Sequence, residues 1–291
     1  MMALTDESKM ITRRTFTHTA LGGAAFAGAA LAKIDSKVNG VQLGVQSYSF
    51  RDMDLDAAIA AMKEIGIGSV EMWSGHAEPK LRGPELKKWR LETPMSHFEA
   101  IRRKYDDAGI DLYAYNYSFR EDFSDDEIEA GFKMGKALGV KVLTASANVT
   151  TAKRIDTFAR KHKMRVGMHN HSRIVKNEFA TANDFMEAMK GNSEYIAINF
   201  DIGHFTAANF DPVEFLSKHY KKIVTLHIKD RKKDQGANVE FGQGDTPIKP
   251  VLDFLRSKKL RIPANIEYEY KGADTKAEVR KCMEYCRKAL A

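Results

Sequence analysis

The feature that most constrains the fold is an alternation of short β-rich runs with amphipathic runs, repeated eight times between residues 41 and 290. Apolar residues in the longer runs recur with helical spacing, which predicts strands alternating with helices. Eight such units in about 250 residues are typical of a closed parallel barrel, so we expect an α/β fold, a single (β/α)8 TIM barrel. The predicted strands are Val41–Phe50, Ser69–Trp73, Asp111–Asn116, Lys141–Ala145, Arg165–His171, Tyr195–Asp201, Ile223–Lys229 and Ile262–Tyr270. The predicted helices are Leu55–Ile65, Ser96–Ala108, Asp125–Leu138, Thr151–Lys161, Ala182–Met189, Pro212–His219, Ile248–Ser257 and Thr275–Ala289.

Turn residues mark the ends of several predicted helices. Asp211-Pro212 and Thr246-Pro247 each place a capping side chain before a proline, which predicts helix starts. An open doubly wound sheet is the competing fold, but no GxGxxG sequence follows any predicted strand. Glycines follow four helices just before the next strand, at Gly66, Gly109, Gly139 and Gly191.

The first 32 residues predict an export leader rather than part of the barrel. Thr12-Arg13-Arg14-Thr15-Phe16 precedes an apolar run that is too short to span a bilayer, and Ala30-Leu31-Ala32 offers a small-x-small cleavage site. This arrangement resembles a twin-arginine signal, which implies transport of the folded protein and a periplasmic or otherwise exported location. We therefore expect residues 1–32 to be the signal peptide and 33–291 the barrel domain, although retention of the leader as an anchor stays open.

Charge and cysteine content narrow the class of protein. Removing the leader takes away three basic and two acidic groups, so the net charge falls from +7 to +6, and the basic residues are scattered. Scattered charge is typical of a solvated surface, so we expect neither nucleic acid nor, once the leader is cleaved, a membrane as partner. Cys282 and Cys286 lie four residues apart, a spacing that favours core positions of the last helix over a disulfide.

Polar residues cluster where the later strands end, which is where active sites of such barrels lie. His169, Asp201, His227 and Glu267 come from four successive predicted strands. Imidazole and carboxylate donors facing one another suit one divalent ion, with Mn²⁺ as first choice and Zn²⁺, Co²⁺, Fe²⁺ or Mg²⁺ as alternatives. Each residue alone also fits a purely structural role, such as a core histidine or a turn-capping aspartate. The set of four together favours a metal site.

Further residues at the same end are candidates for acid–base chemistry and for substrate binding. We predict that Glu267 also serves catalysis and that proton removal falls to His204 or His171 first, and to Glu71 or Glu269 next. For His171 and His204 the alternative is that they orient the neighbouring ligands. The candidate substrate-binding residues are Tyr48, Trp73, Asn170 and Lys229.

These motifs resemble the xylose isomerase-like barrel superfamily of sugar isomerases, epimerases and lyases, which also includes endonuclease IV. The resemblance covers residues 41–290 and rests on Asp201-x-Gly-His204, His227-Ile-Lys-Asp230, His169-Asn-His171 and Glu267. In ketose 3-epimerases of this group a Glu, an Asp, a His and a Glu hold one metal, and two glutamates move the proton. The resemblance places Asp201, His227 and Glu267 on the last three, while His169 stands where the first Glu is expected, which puts two-carboxylate epimerisation in doubt.

The resemblance implies a metal-dependent isomerase or epimerase that removes a proton next to a carbonyl of an unphosphorylated sugar or keto-sugar. The alternative is a lyase or dehydratase of the same superfamily that eliminates from a 3-keto-glycoside or an inosose. An apurinic-site endonuclease and a non-catalytic sugar-binding barrel are weaker alternatives. A sugar oxidoreductase of the same pathway is the expected functional partner, and the sequence leaves the oligomeric state open.

Overall fold

Eight parallel strands close into a barrel in the computed structural model, which describes residues 32–291. Each strand pairs in parallel with the next along the chain, and the eighth pairs with the first, so no barrel edge stays open. This confirms the predicted single TIM barrel. The strands are Val41–Gln46, Ser69–Trp73, Asp111–Asn116, Val142–Ala145, Arg165–His169, Ile196–Asp201, Ile223–Ile228 and Ala264–Ile266.

Helices connect these strands on the outside of the barrel. Their apolar faces and the strands form one large buried cluster, to which the free, buried thiols of Cys282 and Cys286 belong. None of the helices among residues 32–291 is long and apolar enough to cross a membrane. The helices are Leu55–Ile65, Gly83–Glu92, Met95–Asp107, Asp125–Ala137, Ala152–His162, Ala182–Met189, Ile202–Ala207, Pro212–His219, Ile248–Ser257 and Thr275–Leu290.

Two of these helices were not predicted. Gly83–Glu92 has no buried residue, so it lacks the apolar stripe that marks a packed helix. Ile202–Ala207 directly follows the sixth strand and has only six residues, too few to show a period. Three short strands lie outside the eight-stranded barrel. Lys37–Val38 pairs antiparallel with the first barrel strand, and Asp230–Arg231 pairs antiparallel with Asn238–Val239.

Strand ends differ from the prediction where side chains take over the backbone hydrogen bonds. The first strand stops at Gln46, whose Oε1 accepts from the Tyr48 N–H at 3.0 Å and caps the short 3₁₀ turn Ser47–Phe50. The eighth strand is much shorter than predicted, because Tyr268 N–H donates to Ser49 Oγ at 2.9 Å instead of to a neighbouring strand.

The predicted helix boundaries hold at most positions. Gly66, Gly109, Gly139 and Gly191 all have positive φ, as expected for residues that end helices. Asp211 caps its helix by accepting from Val213 N–H at 2.8 Å. The prediction for Thr246 is wrong: its hydroxyl accepts from Arg231 N–H at 3.0 Å, and Pro247 precedes the helix without a side-chain cap. The predicted leader lies outside the described residues apart from Ala32.

Candidate active site

A polar cavity of about 350 Å³ opens at the C-terminal ends of the barrel strands. All eight strands, or the segments that directly follow them, contribute residues to it, which is the arrangement expected when parallel strands end at one rim. Its walls contain four imidazoles and two carboxylates but, among the described residues that line it, neither Arg nor Lys. The lining residues are Gln46, Tyr48, Trp73, Asn116, Ser118, Ser146, His169, His171, His204, His227, Glu267 and Glu269.

The four predicted metal ligands come together at the floor of this cavity. His169, Asp201, His227 and Glu267 each present one donor atom, and these atoms lie within 4.8 Å of one another. All four residues are buried. His169 Nδ1, Asp201 Oδ2, His227 Nδ1 and Glu267 Oε2 are buried atoms, and His227 Nδ1 lies 3.1 Å from Glu267 Oε2. Two imidazole nitrogens and two carboxylate oxygens that converge in this way match the donor set of a divalent ion.

Asp201 owes its orientation to the short helix that follows it. The residue caps this helix, and its Oδ1 accepts from His204 N–H at 2.6 Å, which leaves Oδ2 for the centre of the site. Asn170 fixes the backbone at the same place: its Oδ1 accepts from Asp201 N–H at 2.9 Å and its Nδ2 donates to Asp201 O at 3.0 Å. Asn170 is fully buried, so the structure places this predicted substrate-binding residue behind Asp201 and not among the residues lining the cavity.

His227 is held from below by Glu71. The distance from His227 Nε2 to Glu71 Oε2 is 3.0 Å, so Nε2–H donating to this carboxylate leaves Nδ1 facing the cavity. Although burial opposes a charged ring, Glu71 and Glu267 raise the pKa of His227 well above its usual value. Glu71 was predicted as a candidate base, but it has no exposed surface and does not line the cavity.

Glu71 is itself fixed by a layer of polar side chains inside the barrel. Thr144 Oγ1 donates to Glu71 Oε1 at 2.7 Å, and Gln46 Nε2 donates to the same oxygen at 3.0 Å. Asn199 and Asn265 add longer contacts of 3.3 and 3.4 Å. A carboxylate that accepts this many hydrogen bonds is well suited to orient a histidine and poorly placed to reach a substrate.

Lys229 lies beside the metal-ligand cluster as an internal cation. Its Nζ is 2.9 Å from Glu267 Oε2 and 3.2 Å from Asp201 Oδ2, and it also pairs closely with Glu269. Burial lowers the pKa of a lysine, but the carboxylates of Asp201, Glu267 and Glu269 outweigh it and raise the pKa of Lys229. The side chain is only 2% exposed, so this predicted substrate-binding residue is engaged with protein carboxylates.

Gly203 explains how a lysine fits into this space. A Cβ at Gly203 would overlap the Lys229 side chain and lie 2.8 Å from the Lys229 carbonyl oxygen. The two sequence motifs are therefore linked sterically, because the glycine of Asp201-x-Gly-His204 leaves space for the lysine of His227-Ile-Lys-Asp230.

His169 stands where the resemblance predicts a glutamate. Its ring centroid lies 4.7 Å from that of His227 and 5.0 Å from that of His171. Burial, followed by the charge of His227, lowers the pKa of His169 well below its usual value. The ring is therefore held neutral, which is the form of imidazole that binds a metal.

The remaining predicted bases differ in their surroundings. His204 Nδ1 lies 2.7 Å from Arg231 Nη1 and Nε2 lies 3.2 Å from Lys229 Nζ, so both ring nitrogens face a cation. Burial and Lys229 lower the pKa of His204 well below its usual value. The imidazole of His171, in contrast, is exposed and makes no hydrogen bond to another described residue. Glu269 lines the cavity but is paired with Lys229.

Several residues of the site were missed from the sequence. Arg231 reaches both His204 and Ser172. The polar layer around Glu71 could have been noticed, because Gln46, Thr144, Asn199 and Asn265 are polar residues inside otherwise apolar parallel strands. Asn116 at the end of the third strand, Ser118 after it and Ser146 after the fourth strand gave no such signal.

The chain belongs to the Xylose isomerase-like TIM barrel family, whose family model matches residues 59–289. The closed parallel barrel with its polar C-terminal rim agrees with that assignment. A search of curated proteins gave no significant match.

Solved structures with similar folds include proteins named as carbohydrate enzymes. A sugar phosphate isomerase/epimerase from Parabacteroides distasonis is 19% identical, with a TM-score of 0.63 over 87% of this chain and 98% of the other. A 3-keto-D-glucoside 4-epimerase from E. coli is 13% identical, with a TM-score of 0.65 over 85% and 99%. The zinc-binding IolI protein is 14% identical, with a TM-score of 0.67 over 86% and 98%. At these identities the likeness establishes the shared fold.

Proposed function

We propose that this protein is a metal-dependent enzyme that removes a proton next to a carbonyl of a sugar or keto-sugar. The observation that carries the proposal is the cluster of His169, Asp201, His227 and Glu267, whose buried donor atoms converge beside an open polar cavity. The names of the similar structures, which include isomerases and epimerases of sugars, agree with this class of substrate.

These four residues would hold one divalent ion, with Mn²⁺ or Zn²⁺ as the first ions to test. When bound, such an ion supplies polarisation of a substrate oxygen and stabilises the negative charge that develops when the neighbouring carbon loses its proton. Glu71 and Asn170 would keep His227 and Asp201 oriented for this ion.

We assign proton removal to His171 before His204. His171 is exposed, lines the cavity and makes no side-chain hydrogen bond to another described residue, so its imidazole is available to a substrate. His204 would instead position Arg231 and Lys229, since its two nitrogens already face these cations. Glu269, held by Lys229, is the alternative proton acceptor.

The absence of Arg and Lys from the described cavity lining favours an unphosphorylated substrate, because phosphate groups are usually bound by such cations. An exported protein would also meet few sugar phosphates. We therefore keep export by the twin-arginine route, and a sugar oxidoreductase acting in the same pathway, as parts of the proposal.

A lyase or dehydratase acting on a 3-keto-glycoside or an inosose is the second candidate. His169 replaces a carboxylate of the two-glutamate epimerases, and the carboxylates that line the cavity, Glu267 and Glu269, both follow the eighth strand. One base and one acid are sufficient for elimination, whereas inversion at a carbon by two carboxylates needs one on each side.

Exchange of the substrate proton next to the carbonyl with D₂O distinguishes these reactions from the weaker alternatives. Metal-loaded and chelator-treated protein would be incubated in D₂O with fructose, psicose, 3-keto-glucose and an inosose, and followed by NMR. We expect metal-dependent exchange of the proton next to the carbonyl, accompanied by an epimer, an isomer or an unsaturated product. Metal binding without exchange would support a binding barrel, and cleavage of abasic DNA without exchange would support the endonuclease alternative; either result would overturn the proposal.

A further inference from the structure

A second cavity, of about 690 Å³, adjoins the catalytic one on the same rim of the barrel. It lies between the loops that follow the first and second strands. Trp73 lines both cavities. A ligand that fills the catalytic cavity and extends past Trp73 would therefore enter this groove directly.

Trp73 is held rigidly between the two spaces. Its ring packs against Gly75, where a Cβ would overlap the indole. The ring also makes edge-to-face contacts with Tyr48 at 5.1 Å and with His76 at 5.5 Å. His76 is fixed in turn, since its Nδ1 lies 2.9 Å from Ser47 Oγ. A prepositioned indole loses little entropy on binding and offers an apolar surface to a ring.

Arg51 and Tyr48 form a second link between the two cavities. Tyr48 lines the catalytic cavity and Arg51 lines the groove, and the guanidinium lies 4.9 Å from the Tyr48 ring centroid. Arg51 Nη1 also donates to Tyr268 O at 2.9 Å. This pair shapes the rim where the two cavities meet.

The chemistry of the groove differs from that of the catalytic cavity. Apolar side chains form one part of its wall, and among them Leu81 is 37% exposed although it is a large hydrophobic residue. The charged residues that line the groove are Arg51, Asp52, Asp54, Asp56, Glu78 and Lys80. The apolar wall residues are Met53, Leu55, Leu81 and Leu86. An apolar ring attached to the sugar would bury this apolar surface and gain binding free energy by removing it from water. A second, hydrophilic sugar would gain less binding free energy at the same place.

We propose that the groove binds the aglycone of a glycoside, and that this aglycone is an aromatic or similarly apolar ring. The sugar ring would occupy the catalytic cavity and the aglycone would pack between Trp73 and Leu81. This inference rests on the proposed carbohydrate function and makes it more specific, because it selects glycosides over free monosaccharides.

Tryptophan fluorescence tests the inference directly, because the chain has two tryptophans and one of them is Trp73. Trp89→Phe leaves Trp73 as the reporter at the junction. This variant would be titrated with matched methyl and phenyl β-glycosides of glucose, galactose and xylose, which differ within each pair by the aglycone alone. We expect the phenyl glycoside of at least one sugar to bind about 10-fold more tightly, equal to about 1.4 kcal/mol.

Two surface leucines supply a matched pair of variants for the same titration. Leu81→Asp should abolish the preference for phenyl glycosides, while Leu91→Asp should leave it intact, because Leu91 is 44% exposed and does not line the groove. Both positions are exposed, so neither change should prevent folding.

Three results would overturn the aglycone proposal. They are equal affinity for methyl and phenyl glycosides, an equal loss of preference in both leucine variants, and no binding by any of the six glycosides. The exchange experiment in D₂O uses free sugars, so it tests the proposed function independently. If free sugars exchange their proton but methyl and phenyl glycosides bind equally well, the aglycone proposal is wrong and the proposed enzyme function still holds.

Discussion

Replacing Lys229 by Met should destabilise the metal-free protein and strengthen metal binding. The ammonium lies 2.9 Å from Glu267 Oε2 and 3.2 Å from Asp201 Oδ2, and it also pairs with Glu269. Met has a similar length and no charge, so the substitution leaves three carboxylates without their cation. Removing one partner of a buried charge network typically costs about 3–5 kcal/mol, which we expect as the loss in free energy of unfolding.

The same geometry predicts that Lys229→Met, which lowers the stability of the metal-free protein, raises its affinity for the metal. Lys229 contacts the two carboxylate oxygens that would bind the ion, so its positive charge competes with the ion for them. At an effective dielectric constant of about 20, two unit charges 4 Å apart interact by about 4 kcal/mol. Solvent and rearrangement reduce this value, and we expect at least about a 10-fold lower Kd for Mn²⁺ or Zn²⁺ in Lys229→Met.

Urea unfolding in the presence of chelator and of saturating metal measures both effects. Metal should stabilise Lys229→Met more than wild type, because ligand binding to the folded state adds RT ln(1 + [metal]/Kd). Lys218→Met is the control, since it breaks an exposed pair with Glu214 and should change stability by about 0–1 kcal/mol. The reasoning is refuted if metal-free Lys229→Met is as stable as wild type, or if metal stabilises both proteins equally.

Three further predictions address the metal, the base and the leader. His227→Ala should lose about 2–5 kcal/mol of metal-binding free energy, and elemental analysis would contradict this if it still detected one ion per chain after dialysis. His171→Ala should lower turnover about 10²–10⁴-fold with full metal content, whereas His204→Ala should weaken metal binding about 10–100-fold and recover activity in excess metal; the reverse pattern would exchange their roles. Arg13→Lys combined with Arg14→Lys should leave precursor in the cytoplasm, and normal export of this double variant, seen by fractionation and immunoblotting, would exclude the twin-arginine route.

The fold could be predicted because its signals are local. A strand such as Ser69–Trp73 and a helix such as Pro212–His219 were predicted with the bounds that the structure has, since apolar period and capping residues act over a few neighbours. Helix Gly83–Glu92 was missed for the same reason: it buries no residue and so leaves no period in the sequence.

The residues that form the candidate metal site could also be predicted in part. His169, Asp201, His227 and Glu267 end successive strands, and in a parallel barrel successive strand ends are neighbours. Their sequence positions therefore implied proximity once the barrel was inferred, and the structure brings all four within 4.8 Å.

Only the tertiary structure decided what each polar side chain faces. Glu71, Asn170 and Lys229 resembled pocket residues in the sequence, but Glu71 supports His227 from below, Asn170 holds the Asp201 backbone, and Lys229 pairs with three carboxylates. A strand pattern gives the position of a residue along the barrel, while its hydrogen-bond partners come from distant parts of the chain; Asn265, for example, lies 194 residues from Glu71. Sequence thus determined the barrel and the four candidate ligands; long-range packing determined which groups orient these four residues and which side chains remain open to the cavity.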